Sequence, residues 1–165
     1  MSSNVVLTAQ TVTLSFDKTE DRMRMACQCA DGAVALMWLT CALAGKFLPH
    51  LRELAVPETL DGRQGGPIAD ATANRNRSLP EVPKESASVF FLIKKIDVAH
   101  NPENVEFLFH SNTCDTLLRF VLDKTTLQVW LAGFEKILSQ IPWVLPKYQD
   151  RSAELRPSEN QVTIH

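Results

Sequence analysis

Apolar and polar positions alternate regularly in two stretches of the chain, residues 5–55 and 89–141, and lose any period between them. In the first stretch Val12, Leu14 and Phe16 alternate with Thr11, Thr13 and Ser15. A period of two with β-branched residues predicts a half-buried strand. After the polar turn Asp17–Asp21, Met23, Met25, Cys27 and Cys29 alternate with Arg22, Arg24, Ala26 and Gln28, predicting a second strand. Asp31-Gly32 is a hairpin signal, because this pair readily takes the positive φ of a tight turn. Residues 33–39 then read as a third strand, apolar on both faces. Thr40 follows as a cap for a helix over 41–55.

The second stretch repeats this order. Strands are predicted over 89–98, 105–110 and 117–122, with turns at Asn101–Asn104 and Ser111–Asp115. Asp123 or Thr125 caps a helix running to Gln140. The two stretches superpose at an offset of about 83 residues, which sets Leu39-Thr40 on Leu122-Asp123. The helices then match apolar position for apolar position: Ala44, Phe47, Leu48, Leu51, Leu54 and Ala55 on Leu127, Trp130, Leu131, Phe134, Ile137 and Leu138. That spacing lines one helical face. Pro49 fits the first helix poorly, because it lacks a donor and crowds the preceding turn. A kink there, or a start near Phe47, relieves the conflict.

The expected fold is therefore α+β: two pseudo-repeated βββα halves, each an antiparallel sheet with a C-terminal amphipathic helix, produced by internal duplication. The halves span 1–55 and 89–141. Residues 56–88 hold four of the nine prolines and three of the six glycines, and read as a flexible linker. Residues 142–165 read as a flexible tail.

One helix covers only one face of its sheet. The third strands have no polar face, since Val34, Leu36 and Trp38 lie opposite Ala35, Met37 and Leu39. An uncovered apolar face calls for a partner. Val34, Leu36 and Trp38, with Trp143 near the tail, are the expected anchors of a protein–protein contact or of self-association as a homodimer.

Composition narrows the classes further. The chain of 165 residues carries 17 Lys+Arg against 19 Asp+Glu, so no global charge draws it to nucleic acid. Four cysteines make no disulfide scaffold. No apolar run is long enough to span a membrane and no secretory leader is visible, so a cytoplasmic location is expected. No catalytic constellation stands out. Gly62–Gly66 lacks both the Lys-Ser/Thr ending and the strand-to-helix setting of a phosphate loop. No enzyme activity, cofactor or small-molecule substrate is expected. The remaining metal candidate, Cys27 and Cys29 with His110 and Cys114, has no familiar ligand spacing, and the two cysteines read more simply as core.

The alternative is single-stranded nucleic-acid binding. Arg22, Arg24, Lys94 and Arg119 lie on predicted strands, with Trp38 and Phe91 as stacking platforms. In its arrangement alone, a duplicated sheet-plus-helix unit is similar to the Whirly and PUR-repeat single-stranded nucleic-acid binders, and that resemblance implies such binding. The leading expectation is a non-enzymatic binding and assembly module.

Overall fold

The computed structural model describes residues 5–56, 84–113, 115–143 and 161–165. Seven strands and two helices follow one another as β1 (Val5–Asp17), β2 (Arg22–Cys29), β3 (Val34–Leu39), α1 (Cys41–Ala55), β4 (Val89–His100), β5 (Asn104–Ser111), β6 (Thr116–Asp123), α2 (Lys124–Gln140) and β7 (Gln161–Ile164). Strand, strand, strand and helix do occur twice in order, but the strands do not form two antiparallel sheets. Six of them close into one mixed barrel in the order β3-β2-β1-β6-β5-β4 and back to β3, and β7 adds to β4.

The closure corrects the expectation of two βββα halves, and its cause lies in β1 and β4. Each is long and changes partner part-way. Val5–Ala9 of β1 runs parallel to β6, and beyond an irregularity between Ala9 and Thr11 the strand pairs antiparallel with β2 to Asp17. Val89–Leu92 of β4 likewise runs parallel to β3, and beyond an irregularity between Ile93 and Lys95 the strand pairs antiparallel with β5. A bulge bends a strand and raises its twist, which allows one strand to serve two neighbours around a barrel. An alternation read only from Val12 onward misses the Val5–Ala9 limb, and with it the parallel seam.

The core face of the barrel alternates as expected: Met23, Met25, Cys27 and Cys29 on β2 are buried, as are Val105, Phe107 and Phe109 on β5. Both helices join this same core. Thr40 caps α1, its Oγ1 accepting the Leu43 N–H at 3.3 Å. Asp123 caps α2, accepting the Thr126 N–H at 2.7 Å. The first helix starts at Cys41 with Pro49 inside it, so the alternative start near Phe47 is not adopted. Gly32 takes φ +86° in the hairpin, and Asp31 Oδ1 accepts the Ala33 N–H there.

Phe47 of α1 is the hub of the core. Its ring lies 5.3 Å from Phe107, 6.3 Å from Phe109, 6.2 Å from Trp130 and 5.8 Å from Phe134, in edge-on contacts throughout. One side chain thus holds the barrel wall to both helices.

The linker expected over 56–88 falls largely on 57–83, outside the described residues. Its end is placed: Lys84–Ser86 forms a 3₁₀ turn, and Ser88 N–H donates to Val34 O at 2.9 Å. In the tail expected after Pro142, residues 144–160 are outside the described set, whereas Gln161–Ile164 is a strand and Ile164 is buried. Replacing Phe47 with Ala should cost about 3–5 kcal/mol, read as a lower urea midpoint. A loss below about 1 kcal/mol would show that this aromatic hub does not hold the core.

Candidate functional site

The side of the sheet turned away from the helices carries the chain's exposed chemistry. Cross-strand register sets Arg24 of β2 beside Trp38 of β3, and Trp38 beside Leu92 of β4. The next row runs from Ala26 through Leu36 to Phe90. Ala26, Val34 and Leu36 form a small second apolar cluster on this side, with Trp38 and Ala87 packed against it. Val34 and Leu36, expected as open anchors, are only 5% exposed. The segment entering β4 covers them from within the same chain.

What stays open is Phe90, 55% exposed, its ring stacked on Trp38 with centroids 6.5 Å apart. Sequence reasoning chose Phe91 as the aromatic platform, but Phe91 is buried in the core and Phe90 takes the outer face. The run Val89–Ile93 is apolar at every position, so its alternation carries no signal of which ring points outward. Trp143, the other expected anchor, packs edge-on against Phe16 at 5.8 Å and donates its indole N–H to Asp21 at 3.0 Å. It ties the end of α2 to the β1–β2 turn.

The basic residues do not share one face. Arg24 lies beside Trp38 but is engaged: its Nε donates to Ser15 Oγ at 3.2 Å and its guanidinium meets Asp17 at 3.5 Å. Partial burial works against the Asp17 charge. The N–H groups of Glu20 and Thr19, the Trp38 indole and Arg24 outweigh it, holding the carboxyl below its usual range. Arg22 is 3.6 Å from Glu20. Arg119 lies on β6, separated from β2 by β1, and pairs with Glu106 of β5 at 2.7 Å. That bond holds Glu106 below its usual range and raises Arg119. Lys94 is exposed at the β4 irregularity.

No family model matches the chain, and no curated protein or solved structure matches it.

The three described members of the candidate metal quartet do not share a face. Cys27 and Cys29 are buried on the core face, and burial pushes both thiols up. His110 lies on the outer face of β5, where its Nε2 meets Asp97 Oδ2 at 2.6 Å. Cys114 lies outside the described residues. Among the described residues no group of three or more His, Cys, Asp or Glu side chains is arranged to hold a metal. Gly62–Gly66 also falls outside the described set.

A feature the sequence did not announce is the polar clip around Asp97. Lys95 lies 3.1 Å from Oδ2, His110 shares that oxygen, and the Thr163 hydroxyl of β7 donates to Oδ1 at 2.5 Å. Beside it lies a groove of about 200 Å³ lined by Asp97, Ala99, Glu106, Leu108, Gln161 and Thr163. That is below the roughly 300–1,000 Å³ of common small-molecule sites. Burial opposes the Asp97 charge, but the bonds from Thr163, Lys95 and His110 prevail and hold its carboxyl low. A lowered folded value contributes stability that is present above the unfolded pKa of about 3.9 and lost as pH falls through the folded one. Asp97→Asn should speed amide exchange of Val162–Ile164 by about tenfold at neutral pH and remove the acid-induced loosening of β7. Unchanged exchange in that variant would show that the clip does not secure the strand.

Proposed function

We propose that the chain is a non-enzymatic binding and assembly module that self-associates, two copies meeting through the outer β3–β4 seam. The observation that carries this reading is Phe90, a large aromatic ring more than half exposed and stacked on Trp38 over a sealed apolar base. Buried aromatics supply much of the energy of protein interfaces. A ring already held by its neighbour also loses little side-chain entropy on docking.

A second copy suits the seam electrostatically. The seam carries both signs, Lys94 on β4 and Glu85 in the turn before it, so two copies related by a two-fold axis can set unlike charges against one another. A formal net charge of −2 offers little repulsion between copies. A cytoplasmic location accompanies the proposal, supported by the free thiols of Cys27, Cys29 and Cys41. No helix among the described residues is long and apolar enough to cross a membrane.

The second reading, single-stranded nucleic-acid binding, is favoured by the placing of Arg24 on β2 beside Trp38 and of Lys94 on the strand that carries Phe90. It is weakened by the Asp17 partner of Arg24 and by the distance of β6 from this seam. Light scattering separates the two. The protein should be a dimer at micromolar concentration, and Phe90→Asp should weaken association by at least about tenfold while leaving the circular dichroism unchanged. A monomer at all concentrations overturns self-association. Saturable binding of a fluorescent oligonucleotide at low salt, lost in Phe90→Ala, installs the second reading in its place.

A further inference from the structure

Strands β1 and β4 correspond position for position at an offset of 84 residues: Val5–Ala9 with Val89–Ile93 before the irregularity, and Val12–Ser15 with Ile96–Ala99 after it. On β4, the edge released where β3 ends is taken by β7. Ile164 lies opposite Ile96, Thr163 opposite Asp97, Val162 opposite Val98 and Gln161 opposite Ala99. On β1, β6 ends its pairing at Ala9, and among the described residues no strand takes the edge over Thr11–Asp17. The two matching edges of one barrel are therefore treated differently.

Three features of the β1 edge suit it to an added strand. Its sequence, Thr-Val-Thr-Leu-Ser-Phe, is rich in strand formers and has none of the Lys or Pro residues by which natural edges are blunted. Val98, beneath β7, is 2% exposed, whereas its counterpart Leu14 is only partly buried. Thr13 occupies the position of Asp97, which receives the Thr163 hydroxyl, and Thr13 Oγ1 is shut off from solvent with no hydrogen-bond partner. Once rotation about the Thr13 Cα–Cβ bond turns Oγ1 outward, a hydroxyl brought in at the register of Thr163 would supply the bond it lacks.

We infer that the β1 edge over Val12–Ser15 is a second docking site. It takes an extended segment of a partner protein with the pattern of β7, two aliphatic residues flanking a Thr or Ser, in antiparallel strand addition. The occupant's chemistry is read from β7, which shows on the corresponding edge that four residues with this alternation suffice. Main-chain bonds would provide the affinity. The aliphatic pair opposite Val12 and Leu14, with the hydroxyl opposite Thr13, would provide the selectivity. This site is separate from the β3–β4 seam and stands whether or not the chain dimerises there.

The probe is a synthetic peptide with the sequence of residues 159–165, added to the full-length protein while backbone amides are followed by NMR hydrogen exchange. Saturable binding should slow exchange across Thr11–Asp17 by at least about tenfold and leave Ile96–Ala99 unchanged. Two peptide variants, Ile164→Asp and Thr163→Val, test the registry without altering the folded protein. The first should abolish binding and the second weaken it about tenfold. Slowed exchange confined to Ile96–Ala99 would mean that the peptide replaces the chain's own β7, and would overturn the proposal. So would equal binding by the Ile164→Asp peptide, or no binding up to millimolar peptide. Protection of Thr11–Asp17 that grows with protein concentration in the absence of peptide would assign the edge to a second copy, and would overturn it as well.

Discussion

The fold depends on two parallel seams, β1 with β6 and β3 with β4. All other pairings in the ring are antiparallel and link strands that follow one another in sequence, so hairpin formation alone could make them. The parallel seams join residues 54 positions apart (β3 with β4) and 111 positions apart (β1 with β6), which makes them expensive in loop-closure entropy and slow to form. They form because each edge strand is long enough to serve two neighbours and bends between them. Without the limbs Val5–Ala9 and Val89–Leu92, two three-stranded sheets would each keep open edges and an uncovered apolar face. Closure pairs each of the four sheet edges along part of its length and gives both helices a single core to enter.

That closure explains why most of the excess apolar surface disappears. A third strand with no polar face looked like a demand for an external partner. In the ring, the core side of β3 faces Phe47 and its neighbours, while the outer side is roofed by the turn at Lys84–Ser86 and by Ala87. Burial within the chain satisfies Val34 and Leu36 before any partner is needed. On the outer side of this seam Phe90, where the roof stops, remains open. The apolar surface left open there is therefore smaller and more aromatic than the sequence implied, and it lies on the seam that closes the barrel.

Local structure was legible because it depends on local physics. The alternation of Met23, Met25, Cys27 and Cys29, the Asp31-Gly32 turn, and the caps at Thr40 and Asp123 all appear where the side chains required them. Both helices end within a residue of their expected limits. Pairing beyond neighbouring strands was not legible, because alternation reports which face is buried and nothing about which strand lies alongside. Three places in the chain illustrate the limit. Phe90 and Phe91 sit in an unbroken apolar run, so their parity was undetermined. His110 is grouped with Cys27, Cys29 and Cys114 despite an unfamiliar ligand spacing, yet β5 turns it to the outer face while Cys27 and Cys29 face the core. Ile164 lies in a charged, proline-bearing tail whose composition hides a four-residue strand that owes its place to β4 rather than to its own propensity.

The treatment of β7 also shows how polar chemistry and strand pairing divide the task of holding an edge. A four-residue strand has too few ladder bonds to stay in place by itself. Here it is secured at three points: Ile164 enters the core, Thr163 bonds Asp97, and Lys46 Nζ of α1 donates to the His165 carbonyl at 2.6 Å. The corresponding positions around β1 are Thr13 in place of Asp97 and Val129 in place of Lys46, with Val129 60% exposed. Both ionic fasteners of the β4 edge are thus replaced by neutral side chains. An edge that must hold its own C-terminal strand permanently benefits from charge-assisted bonds. An edge fitted with a hydroxyl and an exposed aliphatic residue would hold a strand more weakly, as reversible exchange requires. The chemistry that distinguishes the two edges is therefore that of a permanent contact against a releasable one.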